Sequence, residues 1–318
     1  MANRKNAAVI CAKGIGDGLL MMIAAAKLCN AGYAVDIFHP SKDLLAPLFP
    51  RQYHWLSFSQ YNPSFYGLTI LQNDHGENAW KLIEMRKKGI LDNLKIFFPK
   101  KSLAFTLEDY LFDPQKSAAE NIVAGMRKIL HFTTEDKDNH LIRPSGSFRK
   151  QLQRIIIHPT SADKSKNWLP LQFFLLAAQL EKKGFSPVFT VSSEEAPVWR
   201  KFLQNSFSLL SFPDLSKLAA YLYESGFFIG NDSGIGHLAS NLGIPTLTIC
   251  GNRKISKIWR PDWSLSEIVQ IPFPLPNFKG INMRIRERFW PIFIPVSKVQ
   301  KKFKILQSRA YAQISSSH

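Results

Sequence analysis

The chain has 318 residues, 45% of them hydrophobic and 19 of them proline; that length fits two packed domains of about 150 residues and excludes a disordered polyelectrolyte. Lysine and arginine number 41 against 24 acids, a net charge of +17, so the protein is suited to an anionic partner and poorly suited to a cationic one. Cys11, Cys29 and Cys250 stand far apart, odd in number and without metal-ligand spacing. A disulfide framework is therefore not expected, and a reducing cytoplasm is.

In chain order, Ala7 to Ala12 reads as a strand, followed by the turn Gly14-Ile15-Gly16-Asp17-Gly18 and a helix from about Asp17 to Asn30. Gly32 stops that helix, and Ala34 to Phe38 is the next strand, which makes a parallel right-handed unit. Arg4, Lys5 and the apolar Leu19 to Ala26 imitate a signal peptide, but Asp17 among three glycines is foreign to one. No run reaches the roughly 20 apolar residues of a spanning helix. A dinucleotide fingerprint fails too, because Leu19 stands where its third glycine belongs. Asp17 lies at a helix start on the carboxyl edge of the sheet, where ligands of open α/β sheets bind, and capping that helix would also suit it. Leu68 to Gln72 is a further strand with Asn73-Asp74-His75-Gly76 at its exit, which reads as a surface turn. Residues 80–150 read as helices with irregular connections.

The polar stretch Thr133 to Gln153, with Pro144-Ser145-Gly146-Ser147 as linker, divides the chain into domains at 1–150 and 151–295, with a final helix in 296–318. Strand Arg154 to Ile157 opens the second domain and runs into His158-Pro159-Thr160-Ser161-Ala162-Asp163-Lys164-Ser165-Lys166-Asn167-Trp168-Leu169-Pro170. Phe173 to Lys183 is an amphipathic helix, Pro187 to Val191 a strand ending in Ser192-Ser193-Glu194-Glu195, and Leu215 to Tyr223 another helix. Phe227 to Ile229 is a buried strand that runs through Gly230 into Asn231, Asp232 and Ser233, all helix-capping types. Gly234 and Gly236 admit unusual dihedrals and close approach of a ligand. Leu238, Ala239 and Leu242 recur at helical spacing until Gly243, and Thr246 to Cys250 is the next strand. A strand–turn–helix–strand unit of this kind collects N–H donors and positive dipole at its helix start, which suits a phosphate.

The wording Gly-Asn-Asp-Ser-Gly-x-x-His-Leu-Ala, followed by Leu-Gly-Ile-Pro-Thr, resembles the donor-binding signature of the ADP-heptose–lipopolysaccharide heptosyltransferases, glycosyltransferase family nine. The start of the chain resembles theirs as well, a strand leading into Ile-Gly-Asp and an apolar helix. The resemblance implies an α/β fold of GT-B type, two Rossmann-like domains whose parallel sheets face each other across a cleft, with the last helix returning to the first domain. It implies an inverting transfer of heptose from ADP-heptose to a lipopolysaccharide-core or related acceptor, with Asp17 as general base. Lys166, or Lys164 in its place, would neutralise the leaving diphosphate. Thr160 and Ser161 would bind phosphate oxygens, Glu194 or Glu195 the ribose hydroxyls, the backbone near Phe212 to Leu215 the adenine, and Asp232, Ser233, Gly234, Ile235 and His237 the rest of the donor. Asp74 and His75 are weaker candidates for an acceptor sugar.

No cofactor is expected beyond the nucleotide-sugar, and no obligatory metal, since the Asp-x-Asp at 136–138 lies in the polar linker and not at a strand end. The alternatives are a UDP-dependent GT-B transferase or sugar-nucleotide epimerase, and a relative that binds a nucleotide-sugar without turnover. The basic clusters are Lys81, Arg86, Lys87, Lys88, Lys95, Lys100 and Lys101, and Lys279, Arg284, Arg286, Arg288, Lys298, Lys301, Lys302, Lys304 and Arg309. They read either as solvated faces or as a peripheral contact with an anionic membrane and a phosphorylated acceptor, at the inner face of a bacterial inner membrane. No nucleic-acid module accompanies them, so nucleic acid is not expected.

Overall fold

The structure is a computed structural model that describes residues 5–251, 253–271 and 289–316. Lys279, Arg284, Arg286 and Arg288, singled out in the sequence, lie outside the described residues. The chain divides into two compact units, Met1–Ile142 and Arg143–His318.

The first unit is built on strands β1 (Asn6–Ile10), β2 (Ala34–Phe38), β3 (His54–Leu56), β4 (Leu68–Gln72), β5 (Leu94–Phe98) and β6 (Tyr110–Leu111), in the order β3-β2-β1-β4-β5-β6 and parallel throughout. Helices α1 (Ile15–Asn30), α2 (Lys42–Leu45), α3 (Glu77–Lys87) and α4 (Ala118–Leu130) connect and cover them. β1 and β4 are nearly continuous apolar runs, as strands covered on both faces must be. From Gly18 to Leu28, α1 is buried on every side, a core helix between sheet and α4. The expectation of helices and irregular chain over 80–150 is corrected by β5 and β6. Their pairing next to β4 rests on Asp109, fully buried, which accepts from Ile96 N at 3.0 Å and grips the Arg86 guanidinium at 2.7 and 3.0 Å.

The second unit repeats that wiring. Strands β7 (Gln151–His158), β8 (Ser186–Thr190), β9 (Ser208–Leu210), β10 (Ser225–Asn231), β11 (Thr246–Cys250) and β12 (Ser266–Gln270) lie in the order β12-β11-β10-β7-β8-β9, again all parallel. Helices α5 (Pro170–Glu181), α6 (Ala196–Leu203), α7 (Leu215–Tyr223), α8 (Gly234–Asn241), α9 (Arg253–Ile258) and α10 (Val296–Ser315) complete it. Gly226 admits β7 so closely that a Cβ there would meet Leu152 O at 1.9 Å. In each sheet the strand order reverses at one place, between β1 and β4 and between β7 and β10. Side chains at the carboxyl ends of those strands form the crevice in which open α/β sheets bind ligands.

The unit begins before the expected boundary at 150 because Arg149 N and Gln151 N each donate, at 2.8 Å, to Tyr223 O and Glu224 O at the end of α7. The final helix sets Val299, Phe303, Leu306 and Ala310 into the second core, with Phe303 against Phe185 and Phe227. Glu267 of β12 holds Lys302 and Arg309 at 2.9 Å each, and Lys298 donates to Gln270 O. The apolar face of this helix thus packs within the second unit. Among the described residues no helix is long and apolar enough to cross a membrane.

Candidate functional site

The second crevice is organised by Asn231, the last residue of β10. Its side chain is fully buried; Oδ1 accepts from Trp168 N at 2.9 Å, and Nδ2 donates to Pro159 O at 2.7 Å and to Asn167 Oδ1 at 3.3 Å. One amide thereby ties the end of β10 to both ends of the 159–168 loop. The loop is further set by Ser161 Oγ donating to Asn167 Oδ1 (2.7 Å) and by Trp290 Nε1 donating to Ser165 O (2.8 Å). Sequence reasoning took Asn231 for a helix cap and missed this role. A polar residue inside an otherwise apolar buried strand was the available signal.

The loop delivers Lys166 to the next residue of the crevice, its Nζ 2.9 Å from Asp232 Oδ2. Burial pulls the ammonium's pKa down, but Asp232, with a lesser contribution from Asp163, more than offsets it and the pKa lies above its ordinary value. Lys166 is therefore a fixed cation whose Nζ has donors left for a ligand. Lys164 sits in the same 3₁₀ turn, and no bond from its side chain to another described residue is seen. Ser233 caps α8, accepting from Gly236 N at 3.4 Å, so Gly234, Ile235 and Gly236 form its first turn with backbone N–H groups toward the crevice. Neither Gly234 nor Gly236 has a positive φ, which corrects the expectation of unusual dihedrals there; Gly243, behind the helix, does (φ +87). His237 is buried in the second turn with Nδ1 unpartnered. Burial lowers its pKa, and the attraction of Asp232 only partly offsets that, so the ring is neutral.

Glu195, not Glu194, is drawn into the network. Its Oε2 accepts from Thr160 Oγ1 (3.1 Å), Ser192 N (3.1 Å) and Ser192 Oγ (2.9 Å), whereas Glu194 stays exposed, with no bond to another described side chain. Thr160 is thus buried and engaged, and Ser161 is turned toward its own loop. His158 closes the floor of the crevice, its Nδ1 2.8 Å from Thr190 O and its pKa lowered by burial.

In the first crevice Asp17 is the third residue of α1, whose cap position is Gly14, so the capping alternative does not describe it. Its Oδ1 accepts from Gln72 Nε2 at 2.6 Å, and Gln72 Oε1 accepts from Ala12 N at 3.1 Å. A Cβ on Gly14 would stand 2.5 Å from Asp17 Oδ2, and one on Gly18 would meet the Leu45 side chain at 2.5 Å and the His39 ring at 3.1 Å, so a larger residue at either place would displace these side chains. His39, buried and with its pKa lowered by that burial, accepts from Ser41 N at Nδ1 (2.9 Å) and sets Nε2 3.1 Å from Gly14 O. Burial, and secondarily the charge of Asp17, push the Cys11 thiol up, so it is inert at neutral pH. Asp74 and His75 lie in an exposed turn, where Asp74 Oδ1 accepts from Gly76 N at 2.7 Å. Among the described residues no three His, Cys, Asp or Glu side chains converge as metal ligands would.

Two doubly wound parallel sheets, one with a carboxylate and the other with a lysine beside a helix start at its switch point, define the class as Rossmann-like α/β. The chain belongs to glycosyltransferase family 9, the heptosyltransferases, whose sequence profile matches residues 102–270, and it is a glycosyltransferase. Comparison with curated proteins finds no match. Among solved structures it is similar to the family 9 glycosyltransferase from Veillonella parvula (15% identity, TM-score 0.69, 97% of this chain and 99% of that one). It is likewise similar to the ADP-heptose lps heptosyltransferase II of E. coli (14%, 0.66, 96% and 99%) and to the E. coli heptosyltransferase WaaC with ADP (13%, 0.67, 95% and 99%). At these identities the likeness is one of fold, the GT-B type.

Proposed function

We propose that the protein transfers heptose from ADP-heptose to a lipopolysaccharide-core acceptor with inversion at the anomeric carbon. The observation that carries this reading is Lys166, held by Asp232 beside the first turn of α8. A diphosphate leaving group gathers charge as its bond to the sugar breaks. An ammonium and helix N–H groups already aimed there stabilise the transition state more than the ground state. The acidic pair after β8 suits a ribose, and adenine is favoured by the ADP in the E. coli heptosyltransferase WaaC. Glu195 is the better of the two for the ribose hydroxyls, since Thr160 and Ser192 already orient it.

The acceptor hydroxyl gives its proton to Asp17, its oxygen bonds to the anomeric carbon from the face opposite the diphosphate, and ADP departs with the bonding pair. Asp17→Asn should lower turnover at least about a hundredfold while leaving ADP binding unchanged. A variant that transfers heptose at nearly the normal rate would refute the base.

A membrane-borne acceptor fits the first unit's surface. Leu103 (108% exposed) and Leu107 (89%) project from a loop pinned by Asp109 and Arg86, which Lys100 and Lys101 lead into. Exposed leucines on an anchored loop rimmed with lysines suit an anionic bilayer, at about 1 kcal/mol for each lysine near it.

A further inference from the structure

We propose that Gln72 is the positioning residue for Asp17, a strap that fixes the carboxylate's rotamer and keeps it ionised. The amide's orientation is decided by its partners. Ala12 N can only donate and an ionised carboxylate can only accept, so Oε1 faces Ala12 and Nε2 faces Asp17. Gln72 is itself buried at the end of β4 and cannot swing away. The second carboxylate oxygen lies against Gly14, where a Cβ would stand 2.5 Å from it, on a loop that His39 holds by its carbonyl. The strand-borne amide thereby holds one oxygen, and the absence of a side chain at Gly14 leaves room for the other. The ionisable groups around it are Cys11 at the end of β1, Lys13 on the loop and His39 after β2. The first is held protonated and the last neutral by burial, and only Lys13 is exposed. A hydrogen bond donated to the charged form favours that form. Gln72 therefore keeps Asp17 ready to take a proton, and it does so without touching the substrate.

This inference rests on Asp17 being the base, and the test separates the two. The carboxyl titration of Asp17 is followed by carbon-13 NMR of aspartate-labelled full-length protein, the signal being assigned by its loss in Asp17→Asn. Transfer is measured in parallel as ADP release from ADP-heptose with a deacylated lipopolysaccharide-core acceptor. Gln72→Leu should raise the titration midpoint by about one pH unit. It should also cut kcat about tenfold or more, with the KM for ADP-heptose unchanged. Gln72→Glu keeps the acceptor for Ala12 N and guards against a mere folding defect. It imitates glutamine only while protonated, so its transfer rate should decline as pH rises, where the wild type's does not. A wild-type titration and rate in Gln72→Leu would overturn the proposal and leave the base intact. Undiminished transfer by Asp17→Asn would sink both together.

Discussion

Asn231 offers the sharpest physical test of how the second crevice is assembled. Asn231→Ala leaves Trp168 N and Pro159 O, both buried, without partners. At about 1–3 kcal/mol for each orphaned group the cost is about 2–6 kcal/mol. For a unit of this size that lowers the melting temperature by roughly 4–24 °C. Asn231→Asp is more discriminating. One oxygen still accepts from Trp168 N, but the other now faces Pro159 O, and an ionised carboxylate there is buried against a carbonyl. Only the protonated acid can donate to that carbonyl, so the folded-state pKa rises above the ordinary value near 3.9. Between those two values the folded state binds more protons than the unfolded one, and stability falls as pH increases. Scanning fluorimetry of both variants and the wild type at pH 5 and pH 8 provides the readout. The alanine deficit should be the same at both, whereas the aspartate deficit should be clearly larger at pH 8. An aspartate deficit independent of pH, or an alanine deficit below about 2 °C, would refute the bridging role.

The remaining predictions concern ligands, protons and the surface. ADP should raise the melting temperature without added magnesium, and by more than UDP or GDP at equal concentration; a larger shift with UDP would overturn the adenosine assignment. Lys166→Ala should weaken ADP binding and turnover together while Lys164→Ala does little, and the reverse result would move the cation to Lys164. His158 and His237 are both lowered by burial, so the second unit should lose stability as pH falls below about 6.5, and His237→Gln should reduce the protons taken up on unfolding there. Cosedimentation with anionic vesicles should be salt-sensitive and reduced by Leu103→Ser with Leu107→Ser; unchanged binding would refute the loop's part. Of the α10 lysines only Lys301 and Lys304 suit a charge-reversal test, because Lys302 is paired with Glu267 and Lys298 with Gln270 O.

The strands nearest each switch point were legible in the sequence because they are short apolar runs ended by glycine or polar residues, as in Ala34 to Phe38 and Thr246 to Cys250, both found where expected. β3, β6 and β9 were not, since strands of two or three residues at a sheet's outer edge carry no periodicity of their own. At the site, the motif residues Lys166, Asp232 and Ser233 prove to be neighbours, but their assembly depends on Asn231, whose partners lie 63 and 72 positions away. Gln72 stands 55 residues from Asp17, and a polar strand end announces no partner. The packing of the last helix on the second core was not legible either. The Phe303 contacts with Phe185 and Phe227, with Glu267 gripping two cations along the same face, explain why it is held.

The repeated wiring of the two sheets has a calorimetric consequence. Each core closes on its own strands, and the groups proposed to bind the donor all reside in the later half of the chain. A nucleotide that binds only that half adds stability to that half alone, by mass action. Heating the protein with rising ADP should therefore pull one endotherm upward and leave the other where it was. The thermogram becomes a map of which half holds the nucleotide, read without a labelled ligand or a turnover assay.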